Sequence, residues 1–214
     1  MLSKPILFLL CARLVQSVVL NTTCPEVEPR KLDWKELDGK WYIAAMAADH
    51  FNIEGACVTL VFNHSNYTDV SVSWTENNMT DFYNGTVAIN SDPNSNSSGD
   101  LLMITYSDGK AETYKFLDVD YQHYAVMFSC EDGDDGNSSV YEIWKMIRSP
   151  IMKASDAVKI NEAIANYNLQ DTIFTTFNNS EEICSESSSG NQLLDSSTLV
   201  LTSAAAYALF RRLY

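Results

Sequence analysis

The chain has 214 residues, of which 46% are apolar and 20% charged, and its formal net charge is −14 at pH 7. This apolar fraction suits one folded domain with a substantial core. The acidic excess is concentrated between residues 21 and 188, where 10 Lys and Arg face 27 Asp and Glu, and it excludes a surface built to bind nucleic acid or anionic lipid headgroups.

The first 20 residues predict a secretory signal peptide. Lys4 is followed by a mostly apolar stretch from Pro5 to Leu20, which is broken only by Arg13. Such a segment is removed on export, and cleavage after Ser17 or after Leu20 would fit. A buried N-terminal helix is the less favoured alternative.

Eight strands are predicted between residues 40 and 148. Short segments rich in Val, Ile, Tyr, Phe and Thr alternate there with turn clusters. They lie at about 40–48, 57–63, 68–75, 80–89, 100–107, 111–118, 121–130 and 139–148. An all-β, antiparallel up-and-down barrel closes such a set without exposed edges. Ser155 can then cap one helix with a single apolar face, which a β-sandwich would not predict.

Alternation along the strands separates the two faces of the barrel wall. Asn84 lies in a glycosylation sequon and needs solvent if it carries a glycan, so its alternate neighbours Tyr83 and Val87 are predicted to point inward. The third strand likewise alternates Val70 and Trp74 with polar residues. On the last strand Glu142, Trp144, Met146 and Arg148 share one face.

Asn-x-Ser/Thr sequons are unusually frequent, with eight in the chain. Together with a signal peptide, this number predicts a glycoprotein of the secretory pathway. The acceptor residues are Asn21, Asn63, Asn66, Asn78, Asn84, Asn96, Asn137 and Asn178.

The C-terminal region predicts attachment of a glycosylphosphatidylinositol (GPI) anchor. Ser188, Ser189 and Gly190 are small, a polar spacer follows, and residues 199–210 are an apolar run. These are the elements of a GPI signal, and the run is shorter than the about 20 residues that a membrane-spanning helix needs. Ser188 is the predicted attachment site. Because Arg-Arg follows the apolar run, a loose tail on a freely secreted protein stays the alternative.

Signals for catalysis or for a metal are weak. The acidic run 131–136 lacks the downstream Glu of a calcium loop, so it predicts a solvated hairpin turn. The histidines, His50, His64 and His123, are scattered, and His123 in the cavity leaves contact with a haem or bilin as a minor alternative. Neither a phosphate loop nor a Ser/His/Asp arrangement occurs. We therefore expect a protein that is not an enzyme and that needs no cofactor or metal.

Three motifs together resemble the signature regions of the lipocalins, small barrels that hold an apolar ligand. Gly39 and Trp41 match the Gly-x-Trp of the first strand. Asp120 and Tyr121 match the Asp-Tyr of the second region, within the run 117–130. Arg148 matches the Arg that crosses the Trp at the closed end of the barrel. The resemblance covers roughly residues 24–184.

The resemblance implies an eight-stranded barrel with one C-terminal helix packed outside and a ligand cavity inside. Gly39, Trp41, Asp120, Tyr121 and Arg148 are then structural. Taken with the alternation, it predicts an aromatic, Met-bearing cavity lined by Val70, Trp74, Tyr83, Tyr114, Phe116, Met127 and Trp144. An interior simply filled by side chains is the alternative.

Four cysteines remain after the signal peptide, and they allow three disulfide pairings. Insect lipocalins and the apolipoprotein D-like group join the N-terminal segment to the seventh strand and the second strand to the C-terminal tail. This likeness implies the disulfides Cys24–Cys130 and Cys57–Cys184. No cavity thiol is then left for chemistry of the prostaglandin D synthase type.

The resemblance also implies a function and a domain plan. Residues 1–20 are the signal peptide, 21–184 the lipocalin domain, 185–188 a short stalk and 189–214 a propeptide that is removed. An anchored, heavily glycosylated lipocalin of this group implies a protein at the extracellular face of the plasma membrane. It would bind a small hydrophobic ligand, meet a cell-surface protein partner, and act in neuronal recognition and axon growth and guidance. The alternative is a freely secreted carrier of lipid, retinoid or bilin pigment without an adhesive role.

Overall fold

The computed structural model describes residues 18–48, 53–63, 69–77, 79–91 and 99–190. Its strands are β1 (Val19–Leu20), β2 (Gly39–Ala47), β3 (Ala56–Asn63), β4 (Asp69–Glu76), β5 (Met79–Ser91), β6 (Asp100–Tyr106), β7 (Ala111–Asp120), β8 (Tyr124–Asp132), β9 (Ser139–Ile147) and β10 (Thr175–Thr176). Its helices are α1 (Trp34–Leu37), α2 (Ala154–Ala165) and α3 (Glu181–Gly190). Among these residues no helix is long and apolar enough to cross a membrane.

Strands β2 to β9 close into an antiparallel barrel. Each pairs with the next in chain order, and β9 pairs back with β2. Closure satisfies the backbone hydrogen bonds that an open sheet would expose at its edges. The short β1 pairs with β9 and the short β10 with β2. The predicted eight-stranded up-and-down barrel with a helix outside it is therefore confirmed.

Inward and outward side chains form two separate cores. Alternate residues of the barrel strands meet in the interior, where Trp41, Leu60, Val72 and Met127 are fully buried. The other face of β7, β8 and β9 packs beneath α2. Tyr83 and Val87, which Asn84 predicted to point inward, both lie on the interior side.

Strand β8 begins at Tyr124, three residues later than predicted. The backbone carbonyl of Asp120 accepts the N–H of His123 at 2.9 Å, and the Asp120 carboxylate accepts the N–H of Gln122 at 3.1 Å. These bonds make residues 121–123 a tight turn. The turn has none of the glycine or proline that usually marks one.

Helix α2 lies where it was predicted, but Ser155 is not its cap. Lys153 holds the N-cap position and makes no side-chain capping bond. Ser155 lies within the helix, and its hydroxyl donates to the Asp156 carboxylate at 3.2 Å. Ile160 and Ile164 are buried against the outer wall, so packing rather than capping stabilises the helix.

The segments before β2 and after β10 are each joined to the barrel. Disulfides join Cys24 to Cys130 and Cys57 to Cys184, which is the pairing that the resemblance implied. The buried Asn179 accepts the N–H of Val58 at 2.8 Å, and its amide donates to a carbonyl of β2. Strand β1 lies within the predicted segment 1–20, and α3 runs through the predicted stalk 185–188.

Candidate functional site: the barrel interior and its open end

Arg148 and Trp41 seal one end of the barrel, called the closed end here. The guanidinium lies 3.7 Å from the centroid of the Trp41 ring, and it donates to the carbonyls of Glu36, Lys40 and Tyr121 at 2.6, 3.0 and 2.9 Å. Burial lowers the pKa of Arg148, but a guanidinium stays charged in proteins. The arrangement stabilises the fold, and the cation–π stacking alone contributes about 1–2 kcal/mol when desolvated.

The other signature residues support the same end. Gly39 has a φ of +90°, a region in which residues with a side chain are strained. Tyr121 accepts the backbone N–H of Asp33 on its hydroxyl at 2.9 Å. Asp33 in turn caps α1 by accepting the N–H of Lys35. These contacts lay the N-terminal segment across the closed end.

The open end is formed by the turns β4–β5, β6–β7 and β8–β9. All seven predicted cavity residues belong to the single interior core. Val70, Tyr114, Phe116, Met127 and Trp144 are at most 1% exposed, whereas Trp74 and Tyr83 are half-buried. The deep wall is thus closely packed against protein, and the open end offers an aromatic entrance.

Tyr83 is held in place at this entrance. Its ring stacks on Tyr106 with the centroids 4.6 Å apart, and its hydroxyl donates to the Asp108 carboxylate at 2.5 Å. Burial and the neighbouring Asp108 carboxylate raise the pKa of Tyr83 to about 12. The phenol is therefore neutral at physiological pH and acts as a hydrogen-bond donor.

A polar cluster lies in the interior beyond this stack. Glu142 is 3% exposed, and its Oε2 accepts the Tyr114 hydroxyl at 3.0 Å and the Trp144 indole N–H at 3.4 Å. The Tyr106 hydroxyl lies 3.2 Å from that of Tyr114. Glu142 Oε1 has no hydrogen-bond partner among the described residues. The sequence indicated that Glu142 faces inward but did not identify it as a site residue.

The surroundings of this carboxyl raise its pKa. Burial raises the pKa of Glu142, and the nearby Glu112 carboxylate raises it further, against the hydrogen bonds from Tyr114 and Trp144. Glu112 itself has a counter-ion, because Lys110 Nζ lies 3.0 Å from it. A charged residue on an otherwise apolar inward face was the signal in the sequence that marks this cluster.

A groove of about 650 Å³ lies along β3 to β6, and most of its lining residues alternate outward, although it also includes Val70 and Tyr106 of the interior core. Its lining includes Asn63 and Asn84, both predicted glycosylation acceptors, together with Thr86 of the second sequon. The Ser71 hydroxyl donates to the Asn84 side chain at 2.7 Å. Since a glycan on either asparagine would occupy this groove, we do not assign it to the apolar ligand.

The described sequon asparagines are all exposed, as glycosylation requires: Asn21, Asn63, Asn84, Asn137 and Asn178. Asn66, Asn78 and Asn96 lie outside the described residues, as do His50, His64 and the apolar tail 199–210. Ser188 falls in α3.

The alternative in which His123 faces the cavity is wrong. His123 is exposed in the β7–β8 turn at the closed end, because the turn replaces the first residues of the expected strand. The run 131–136 is a hairpin turn, in which Asp135 accepts the N–H groups of Asn137 and Ser138. In the described part of the chain, no three His, Cys, Asp or Glu residues are placed to hold a metal ion.

The fold is shared with solved lipocalin structures. Insecticyanin from the tobacco hornworm Manduca sexta superposes with a TM-score of 0.64 at 18% identity, over 78% of this chain and 92% of that one. Lobster apocrustacyanin A1 gives 0.63 at 19% identity, over 77% and 93%. The cockroach allergen Per a 4 gives 0.53 at 20% identity, over 73% and 96%. No family model and no curated protein sequence matches the chain. The fold is therefore that of a lipocalin.

Proposed function

We propose that this chain is a non-enzymatic, extracellular lipocalin that binds a small apolar ligand in its barrel through the open end. The observation that carries the proposal is the change in side-chain burial along the inner wall, from the deep residues to the open end. Aromatic and Met side chains line it throughout, and Trp74 and Tyr83, on the described strands at the open end, are half-exposed. An apolar wall with a few convergent polar groups is typical of a ligand site.

Because the deep residues are closely packed, a ligand must displace side chains to enter. Met127 is suited to this, since an unbranched thioether adapts to new neighbours at low cost. The entrance aromatics supply apolar area that is already partly in contact with water, so covering them with a ligand is favourable.

The proposal also covers the attachment of the protein to the membrane and its biological role. The resemblance to Lazarillo, the GPI-anchored neuronal lipocalin of insects related to apolipoprotein D, supports a protein anchored at the outer face of the plasma membrane. It would act there in neuronal recognition and axon growth and guidance, with a cell-surface protein as partner. The small residues around Ser188 and the apolar run after the spacer support the anchor.

Ligand binding is tested by titrating the protein with all-trans-retinol and following quenching of tryptophan fluorescence. Tyr83→Ala is expected to weaken binding about tenfold, because the ligand loses an aromatic contact of about 1–1.5 kcal/mol. Phe82→Ala is the matched control, since Phe82 is the next residue of the same strand but faces outward and is 58% exposed. Absence of binding by retinol, hexadecanol and palmitate would overturn the proposal.

Anchoring is tested on intact cells with phosphatidylinositol-specific phospholipase C. Release of the protein into the medium is expected. Secretion without the enzyme would instead favour the freely diffusing carrier, and Ser188→Pro with Ser189→Pro serves as a variant in which attachment should fail.

A further inference from the structure

We propose that the barrel selects apolar ligands that end in a hydroxyl group over those that end in a carboxylate, with Glu142 as the recognising side chain. This inference rests on the proposed function and specifies the ligand class. It follows from the incomplete hydrogen bonding of Glu142 Oε1, which is one of two buried side-chain atoms without a hydrogen-bond partner among the described residues; the other, Lys110 Nζ, has Glu112 as its counter-ion.

Glu142 points into the barrel. Its neighbours on β9, Tyr141 and Ile143, belong to the outer core beneath α2, whereas Trp144 belongs to the interior. Alternation therefore directs the Glu142 carboxyl to the ligand side of the wall. The side chain is 3% exposed, so water does not complete its hydrogen bonds.

The two carboxyl oxygens of Glu142 differ in their hydrogen bonds. Oε2 accepts from Tyr114 and Trp144, while Oε1 has no partner among the residues described. An unsatisfied buried polar atom is unfavourable, because it has lost its hydrogen bonds to water without replacing them. A ligand that supplies a donor to Oε1 offsets this loss, and a purely apolar ligand does not.

A hydroxyl suits this position in either protonation state of Glu142. It donates to an ionised carboxylate, and it accepts from a neutral carboxylic acid. A ligand carboxylate would add a negative charge beside an ionised Glu142, with Glu112 close by as well, whereas a hydroxyl adds none. Lys110 offsets the charge of Glu142 only in part, because its Nζ lies 3.0 Å from the Glu112 carboxylate. Like charges in a site shielded from water repel strongly.

A chain of contacts links the entrance to Glu142. Tyr83 at the entrance stacks on Tyr106, the Tyr106 hydroxyl lies 3.2 Å from that of Tyr114, and Tyr114 donates to Glu142. A ligand that enters against Tyr83 with its polar end leading, and displaces the packed side chains, would meet the polar cluster along this wall.

The test compares all-trans-retinol with all-trans-retinoic acid, which share a hydrocarbon body and differ in the end group. Quenching of tryptophan fluorescence gives both dissociation constants, and the wild-type protein is expected to bind retinol at least about tenfold more tightly, equivalent to about 1.4 kcal/mol. Hexadecanol and palmitate provide a second matched pair. Equal affinities, or tighter binding of the acids, would overturn the inference without touching the proposed function.

The variant Glu142→Gln tests whether Glu142 is responsible for the preference for a hydroxyl over a carboxylate. It keeps the size of the side chain, replaces one acceptor oxygen by an amide donor and removes the charge of the ionised carboxyl. The affinity for retinoic acid should therefore rise about tenfold, while that for retinol changes by less than about threefold because its hydroxyl can accept from the amide. Glu131→Gln is the control, because Glu131 carries the same charge on the exposed end of β8. Unchanged selectivity in Glu142→Gln would contradict the role of Glu142. If none of the four compounds binds the wild-type protein, the proposed function fails together with the inference.

Discussion

The two ends of the barrel differ in how completely their polar groups are hydrogen-bonded. At the closed end, the guanidinium of Arg148 donates to three backbone carbonyls and covers the ring of Trp41. At the open end, Glu142 keeps one oxygen without a partner among the described residues, and Tyr83 is only half-buried. The difference indicates that one end stabilises the fold, while the other retains uncompensated groups that a ligand could satisfy.

The strongest way to break this comparison is to remove Trp41. Trp41→Ala deletes a fully buried ring at the closed end and should lower the free energy of unfolding by about 3–5 kcal/mol. Trp74→Ala, at the half-buried entrance, should cost less than half as much. Urea denaturation measures both, and equal losses would show that the ends do not differ in this way.

A smaller effect is expected from Arg148. Arg148→Ala leaves the carbonyls of Glu36, Lys40 and Tyr121 without this donor and should cost about 2–3 kcal/mol in the free energy of unfolding. Arg148→Lys should recover only part of that loss, because an ammonium cannot reproduce the planar fork of donors. A lysine variant as stable as the wild type would contradict the role assigned to the guanidinium.

At neutral pH, substitution of Glu142 should raise the free energy of unfolding, whereas the substitutions of Trp41 and Arg148 lower it. Because burial and Glu112 raise its pKa in the folded protein, the folded state holds the proton more tightly than the unfolded state does. Its favourable contribution is complete below the pKa of the unfolded chain, near 4.3, and it is lost as the pH rises through the folded value.

Glu142→Gln removes this dependence and should raise the free energy of unfolding by about 1 kcal/mol at pH 7. The ionisable groups around the carboxyl, Tyr106, Lys110, Glu112 and Tyr114, are unchanged in the variant. Urea midpoints of the wild type and the variant between pH 4 and pH 8 provide the measurement. A stability difference that does not grow with pH would contradict the burial of an uncompensated carboxyl.

The smallest effect concerns β1 at the open end. Tyr141 donates its backbone N–H to the carbonyl of Val18 at 3.1 Å, so residues 18–20 belong to the barrel wall. We therefore expect cleavage after Ser17 and a mature chain that begins at Val18. N-terminal sequencing of the exported protein tests this, and a chain beginning at Asn21 would contradict it. Deleting residues 18–20 should cost no more than about 1 kcal/mol, because only a few edge hydrogen bonds are lost.

The barrel could be predicted from the sequence because its strands carry a strict two-residue alternation. One exposed sequon residue, Asn84, was enough to orient its strand, and Tyr83 and Val87 lie inside as expected. The two-residue strands β1 and β10 were not predicted, since they are too short to show any period. The turn at residues 121–123 was missed because Asp120 makes it with its own side chain.

The candidate site was predicted only in its apolar part. The deep lining residues, such as Tyr114 and Trp144, were placed correctly on the inner face. That they are closely packed against protein depends on how side chains from opposite walls meet, which no single strand encodes. The unequal bonding of Glu142 likewise requires Tyr114 from one strand and Trp144 from another.

Native-state hydrogen exchange with and without retinol tests the division between the two ends most directly. If the ligand binds through the open end, backbone amides around Trp74, Tyr83 and Tyr106 should exchange more slowly when retinol is present. The exchange of amides near Trp41 and Arg148 should be unchanged. Protection that appears instead at the closed end, or along the outer groove that holds Asn63, would contradict binding through the open end of the barrel.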